Sequence, residues 1–206
     1  MSRSLILASA SPRRAQLLEQ IGVVFRVMPA DIDETPRPDE GAEAYVGRLA
    51  IEKAAAIAAR NPGHVVLAAD TTVVVDEHIL GKPDSADECE TMLRKLSGRA
   101  HEVYTGIAVH SGDSVAQTVT RSRVHFRSID KDERVAYWHS GEPKDKAGGY
   151  AIQGLGAMFV QRIEGSYSGV VGLPLAETAQ YLSRCDVATG LSVHATDNVI
   201  NAGNGT

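Results

Sequence analysis

Several polar residues in this chain stand where the surrounding pattern asks for apolar ones. Asp70 directly follows the apolar run Val65-Val66-Leu67-Ala68-Ala69. That run reads as a strand buried on both faces, with Asp70 at its carboxyl end. In open α/β sheets ligands bind at that edge, although an aspartate there also serves as a turn cap. Lys53 lies four residues after Leu49 and four before Ile57, on the buried stripe of a helix. Such a lysine either snorkels to the rim, the commoner outcome, or turns its ammonium into a cleft. In Ser9-Ala10-Ser11-Pro12-Arg13-Arg14 a strand passes straight into a helix. A helix start offers free N–H groups and a positive dipole end, and two hydroxyls and two guanidinium groups add donors suited to an anion.

Together these residues suggest a reaction. The acids Glu34 and Asp70 could hold a hard divalent cation, Mg²⁺ or Mn²⁺. Arg13, Arg14, Lys53 and Lys82 could neutralise a polyphosphate. The expectation is metal-dependent phosphoanhydride chemistry on a nucleotide. Other motifs fail their tests. Gly81-Lys82-Pro83 is not a P-loop, because position 76 is Asp and no Ser or Thr follows the lysine. Gly154-Leu155-Gly156 lacks the third glycine of a dinucleotide fingerprint. Arg121, Arg123, His125 and Arg127 alternate along one strand and read as a solvated face.

The elements that must position these groups can be read from periodicity and punctuation. Leu5 to Ala8 is a short buried strand, and Ser11-Pro12 opens a helix ended by Gly22. Val23 to Met28 is a strand, and Pro29 to Gly41 a loop. Ala42 to Arg60 is a helix with Val46, Leu49, Ala50, Ala54 and Ile57 on one face. Val73 to Val75 could extend the strand before Asp70, with a turn near Glu77-His78. Ser85 to Glu88 is a capping box opening a helix to Gly98. Glu102–His110 and Val115–Arg127 form a hairpin around Ser111-Gly112-Asp113. Asp130 and Glu133 cap a helix holding Val135, Ala136 and Trp138. Met158–Ile163 is a strand and Leu175–Leu182 a helix. This order predicts an α/β domain, a mixed twisted sheet flanked by helices, over residues 1–186. Residues 187–206 form a polar C-terminal tail expected to pack loosely.

Composition excludes much else. At roughly 150 residues per domain, 206 residues make one domain. The formal net charge of −5 gives no electrostatic case for coating nucleic acid. Cys89 and Cys185 stand far apart, which excludes a disulfide scaffold and a zinc ribbon and suits a reducing compartment. The apolar run after Ser4 is too short for a signal peptide, and no stretch approaches a membrane span. A soluble cytoplasmic protein with no nucleic-acid or membrane partner is expected.

Nine segments in order resemble the Maf family of nucleoside triphosphate pyrophosphatases. They are Ser9–Arg14, Asp33–Pro36, Glu52–Ala54, Ala69–Thr72, Gly81–Pro83, Gly98–His101, Val103–Gly106, Asp145–Gly154, and Gly165-Ser166-Tyr167 through Gly172-Leu173-Pro174-Leu175. The resemblance runs from about residue 4 to 185. It implies hydrolysis of a nucleoside triphosphate to the monophosphate and pyrophosphate, with attack at the α-phosphorus. It implies a fold like that of inosine triphosphatases, two lobes around a cleft, and a homodimer. Asp70-Thr71 with Gln153 resembles the branch acting on dTTP and UTP rather than on 7-methyl-GTP. On this resemblance Asp70 is the proton acceptor, and Arg13, Thr71 and Gln153 set base preference. The physics agrees: an amide offers a donor and an acceptor to the edge of a pyrimidine, and Lys53, Lys82 and Arg14 can stabilise phosphate charge. The rival readings are a nucleotide-binding regulator of septum formation that does not hydrolyse, the same chemistry on 7-methyl-GTP, and a phosphatase releasing orthophosphate.

Overall fold

The apolar run after Ser4 forms strand β1 (Leu5–Leu7), and Pro12 opens helix α1 (Pro12–Gln20). Proline fits a first helical position, whose N–H has no intrahelical partner. Edge strand β2 (Phe25–Val27) is shorter than the run expected from Val23 to Met28. Residues 29–41 carry no helix or strand before helix α2 (Ala42–Ala58). The structure, a computed structural model, describes residues 3–192.

The next strand corrects the expectation for Asp70. Strand β3 (Val65–Val75) runs unbroken for 11 residues, so Asp70 sits in its middle rather than at its end. The reason is the neighbouring strand β5 (Ala100–Ser111), which pairs antiparallel with β3 from Val65↔Ser111 to Val74↔Glu102. Thr71 and Thr72 break the apolar run but are β-branched and suit a strand. The chain then turns at Asp76-Glu77, both at positive φ, into strand β4 (His78–Leu80), which the sequence reading lacked. Two residues of that handedness match the twist of a tight hairpin.

Helix α3 (Ala86–Leu96) precedes β5, and strand β6 (Ser114–Phe126) follows it across the expected turn. Then come helix α4 (Lys131–His139), strand β7 (Val160–Glu164), helix α5 (Tyr167–Val171) and helix α6 (Leu175–Arg184). The capping box of α4 is complete at Asp130 and Glu133. That of α3 is not: Ser85 accepts from the Glu88 N–H, but the Glu88 carboxylate bonds the Asp84 N–H, one residue too far out. On α4 the buried side chain is Tyr137, while Val135 is exposed.

The seven strands of the described residues form one mixed sheet, six in the order β2-β1-β3-β5-β6-β7 and β4 paired with β3 off that path. β1 is parallel to β2 and β3, and the remaining pairings are antiparallel. β1 pairs the first part of β3, ending at Leu7↔Leu67, and β4 pairs the last part, beginning at Leu80↔Val73. Among the described residues β3 has no strand partner between them on that side, and the sheet opens there.

Each face of the sheet has its own core. Ile6, Ala8, Val66, Ala68 and Ala108 pack against Ala50, Ala54 and Ile57 of α2. Leu5, Leu7, Val65, Leu67, Ala69 and Val73 belong to the larger core with α1, α3 and α6. Small residues let α2 sit close: a Cβ at Gly106 would lie 2.5 Å from the Val46 carbonyl oxygen. Val187, at the start of the expected loose tail, is buried in the larger core, and the Gly190 N–H bonds the Ile21 carbonyl. Residues 193–206 of that tail lie outside the described residues. Among the described residues no helix is long and apolar enough to cross a membrane.

His101 is buried, with Nε2 2.8 Å from the Tyr150 hydroxyl and its ring edge-on to Phe126. Burial, with a smaller push from His125, lowers its pKa to about 3. The unfolded chain protonates this ring near pH 6.5. Between those values the unfolded state holds the extra proton, so stability present above pH 6.5 is lost as the pH falls toward 3.

Gly106→Ala destabilises the protein by about 1–3 kcal/mol, because the obstructing atoms are backbone. Gly47→Ala, whose nearest neighbour would be Val119 at an ordinary 3.4 Å, costs nothing and gains up to about 1 kcal/mol of helix propensity. Thermal melts at pH 7 check both. In urea, wild type loses up to about 2 kcal/mol between pH 7 and 5 that His101→Gln does not lose.

Candidate functional site

The opening beside β3 widens into a cleft of about 1370 Å³. Its floor is built by strand alternation. Even-numbered β3 residues face α2 and odd-numbered ones face α1, so Asp70 and Thr71, adjacent in sequence, work on opposite faces of the sheet. Asp70 points toward α2, where the Lys53 Nζ lies 2.7 Å from its Oδ1. The same ammonium is 2.8 Å from Glu34 Oε1. Lys53 therefore does not snorkel away: it is 7% exposed and ties two carboxylates from separate segments into one cluster. The close approach of α2 at Gly106, the β5 partner of Asp70, makes this reach possible.

Helix α2 also holds the loop that carries Glu34. The Tyr45 hydroxyl donates to the Glu34 carbonyl at 2.9 Å, and Arg48 bonds both the Thr35 carbonyl and the Glu40 carboxylate. Arg48 and the Arg37 N–H hold the Glu40 carboxyl down at about 2. Burial, aided by Asp70 and Glu34, pushes the Tyr45 phenol up to about 12, so it stays a neutral donor. Tyr45 lines the cleft and was missed in the sequence, where Lys53 alone stood out against the apolar stripe of α2.

On the other face Arg14 is the tie. Its Nε donates to the Gly172 carbonyl at 2.9 Å, one terminal nitrogen to Ser9 Oγ at 3.0 Å and the other to Thr71 Oγ1 at 3.3 Å. The Thr105 hydroxyl donates to the Gly169 carbonyl, so the Thr71 hydroxyl donates to Thr105. Both bonds to Ser9 Oγ, from Arg14 and the Ser11 N–H, use its lone pairs, leaving the O–H proton for a ligand. Ser11 makes no side-chain cap, so the early N–H groups of α1 also face the cleft.

Arg13, Lys82 and Gln153 line the cleft with these residues, as do Asp145 and Lys146. Every residue expected to act on substrate thus lies on one cavity. Burial lowers the pKa of Arg13, opposed by Asp145. Burial also lowers that of Lys146, with Arg13 and Lys82 pushing the same way and Asp145 opposing. Lys146 is a further cation that the residue-type reading passed over, although it lies inside the segment Asp145–Gly154.

Two carboxylates brought together in a cleft that several arginines and lysines also line suit Mg²⁺, which is commonly held by one or two carboxylates together with substrate phosphates. Among the described residues no group of three or more His, Cys, Asp or Glu side chains makes an all-protein cage. Asp70 and Glu34 therefore fit a cation shared with a phosphate-bearing ligand, with Lys53 as the counter-charge now between them.

Residues 4–185 match the family model described as Maf-like protein. A dTTP/UTP pyrophosphatase of Myxococcus xanthus is 57% identical over 180 residues, covering 87% of this chain and 91% of that protein. One of Methylobacillus flagellatus is 55% identical over 184 residues, covering 88% and 92%. Among solved structures, a nucleoside-triphosphatase / dITP/XTP pyrophosphatase of Mycobacterium abscessus aligns with a TM-score of 0.41 at 14% identity, covering 67% of this chain and 95% of that one. The match to the family model and the identity to the two relatives each span most of the chain, which belongs to the Maf-like protein family.

Proposed function

We propose that this protein hydrolyses dTTP and UTP to the monophosphate and pyrophosphate, water attacking the α-phosphorus. The observation that carries the reading is the Glu34–Lys53–Asp70 cluster, two carboxylates on one ammonium, in a cleft that Arg13, Arg14, Lys82 and Lys146 also line. A sensor that only bound nucleotide would need the cations but not the paired acids. The names of the relatives supply the substrate pair.

Asp70 takes the proton from the attacking water, general-base work that contributes about 10²–10⁴-fold. Lys53 holds Asp70 in place beside Glu34. Ser9, Arg13 and Arg14 receive the phosphate chain at the start of α1, where guanidinium and N–H donors converge. Arg14 also fixes Thr71 and the Gly172 turn, so it organises the site while charging it. Lys82, from the segment after β4, stabilises the departing pyrophosphate. Gln153 presents an amide donor and acceptor to the base edge, and Thr71 and Arg13 complete the preference for a pyrimidine. A Mg²⁺ or Mn²⁺ ion held by Asp70 and Glu34 supplies charge neutralisation on the triphosphate when bound. The reading includes a cytoplasmic homodimer with no nucleic-acid or membrane partner.

Pyrophosphate release from dTTP, UTP, CTP, dATP, GTP and 7-methyl-GTP, with Mg²⁺ or Mn²⁺, is the direct test. Release from dTTP and UTP alone is expected, and Asp70→Asn lowers it by about 10²–10⁴-fold. Binding without turnover would make the protein a sensor, and orthophosphate as first product would make it a phosphatase. Lys53→Met and Asp70→Asn each destabilise the fold, and the double variant loses less than their sum by about 1–3 kcal/mol. A urea-denaturation cycle at pH 7 measures that coupling.

A further inference from the structure

Gln153 is exposed to the cleft on a glycine-bearing loop, and a base-reading amide needs a fixed backbone beneath it. Two side chains outside the cleft lining provide it. The Tyr137 hydroxyl, from α4, accepts from the Ala151 N–H at 3.0 Å and donates to Glu142 Oε1 at 2.7 Å. The Glu142 carboxylate accepts from the Gly156 N–H at 2.9 Å and from the Leu155 N–H at 2.8 Å. The loop is thus held at both ends, by Tyr137 before Gln153 and by Glu142 after it.

The fit is close. A Cβ at Gly154 would overlap the Glu142 carboxylate, and one at Gly156 would lie 2.6 Å from the Ala151 carbonyl oxygen and 2.7 Å from the Tyr137 hydroxyl. The clamp is itself anchored: Tyr137 is buried edge-on against Phe159, and the Glu142 N–H bonds Ser140 Oγ. Burial alone would raise the Glu142 carboxyl, but Tyr137 and the two backbone donors hold it below its usual range, so it remains an acceptor.

We propose that Glu142, acting with Tyr137, is a positioning residue for base selection, setting where the Gln153 amide stands without touching the nucleotide. The proposal rests on the reading of Gln153 as the base-reading group. Steady-state kinetics on dTTP, UTP and CTP test it with Glu142→Ala, Glu142→Gln, Gln153→Ala and the double variant Glu142→Ala/Gln153→Ala. Glu142→Ala is expected to raise KM for dTTP and UTP about tenfold, with kcat changed less than about threefold, and to erode the preference over CTP. Glu142→Gln, which keeps one acceptor oxygen, restores part of that preference. In the Gln153→Ala background Glu142→Ala shifts the preference no further.

An equal loss of kcat/KM on all three nucleotides, or the same shift in both backgrounds, overturns the proposal. If Gln153→Ala leaves the preference intact, the base-reading role itself falls and the proposal falls with it. If Gln153→Ala removes the preference while Glu142→Ala does not, only the positioning role falls. Should Glu142→Ala not fold, Tyr137→Phe releases the Ala151 N–H and removes one donor from Glu142 while leaving its bonds to Leu155 and Gly156, and is expected to shift KM and preference in the same direction by a smaller factor, an unchanged preference again overturning the proposal.

Discussion

The site depends on one cation. The Lys53 ammonium stands within 2.8 Å of two carboxylates, one on a strand and one on a loop, and it reaches them from a helix. Two acids brought together without it would repel each other in a place where little water reaches Asp70. With it, the loop that carries Glu34 is tied to the sheet through Asp70, and the two acids share one counter-charge. Helix α2 is placed for this purpose by small residues, Gly106 beneath Val46 and Ala54 beside Lys53, so the core on that face is thin rather than bulky.

The second organising fact is the interruption of the sheet beside β3. β1 stops at Leu7 and β4 begins at Leu80, and the chains leaving them carry Ser9–Arg14 and Lys82 to the opening. A strand interior is normally sealed by neighbours on both sides. Here one side is free between Leu67 and Val73, and polar side chains occupy the space a strand would have filled.

Much of this was legible because it was local or periodic. The charge after an apolar run singled out Asp70, the four-residue spacing put Lys53 on a buried stripe, and Ser11-Pro12 marked the start of α1. Asp130 with Glu133 is a contact within one turn and could be read directly. Other features depend on partners distant in sequence. The length of β3 is set by β5, some thirty residues on, and no apolar pattern announces Thr71 and Thr72 as strand. Whether Lys53 snorkels or turns inward is decided by Asp70 and Glu34, neither of them on its helix. Tyr45 was hidden because a tyrosine on a helix face has many uses, and α5, with five residues, is too short to display a period. Val187 gave no sign of its burial because a single apolar residue in a polar stretch has no pattern.

The pleat of β3 has a consequence for how such a protein can change. Asp70 and Thr71 are bonded neighbours, yet one faces Lys53 and the other Arg14, with the sheet as a partition between them. A substitution on the Arg14 side therefore meets a different set of neighbours from one on the Lys53 side. Two consecutive residues can change independently, because the strand's alternation places each in its own surroundings.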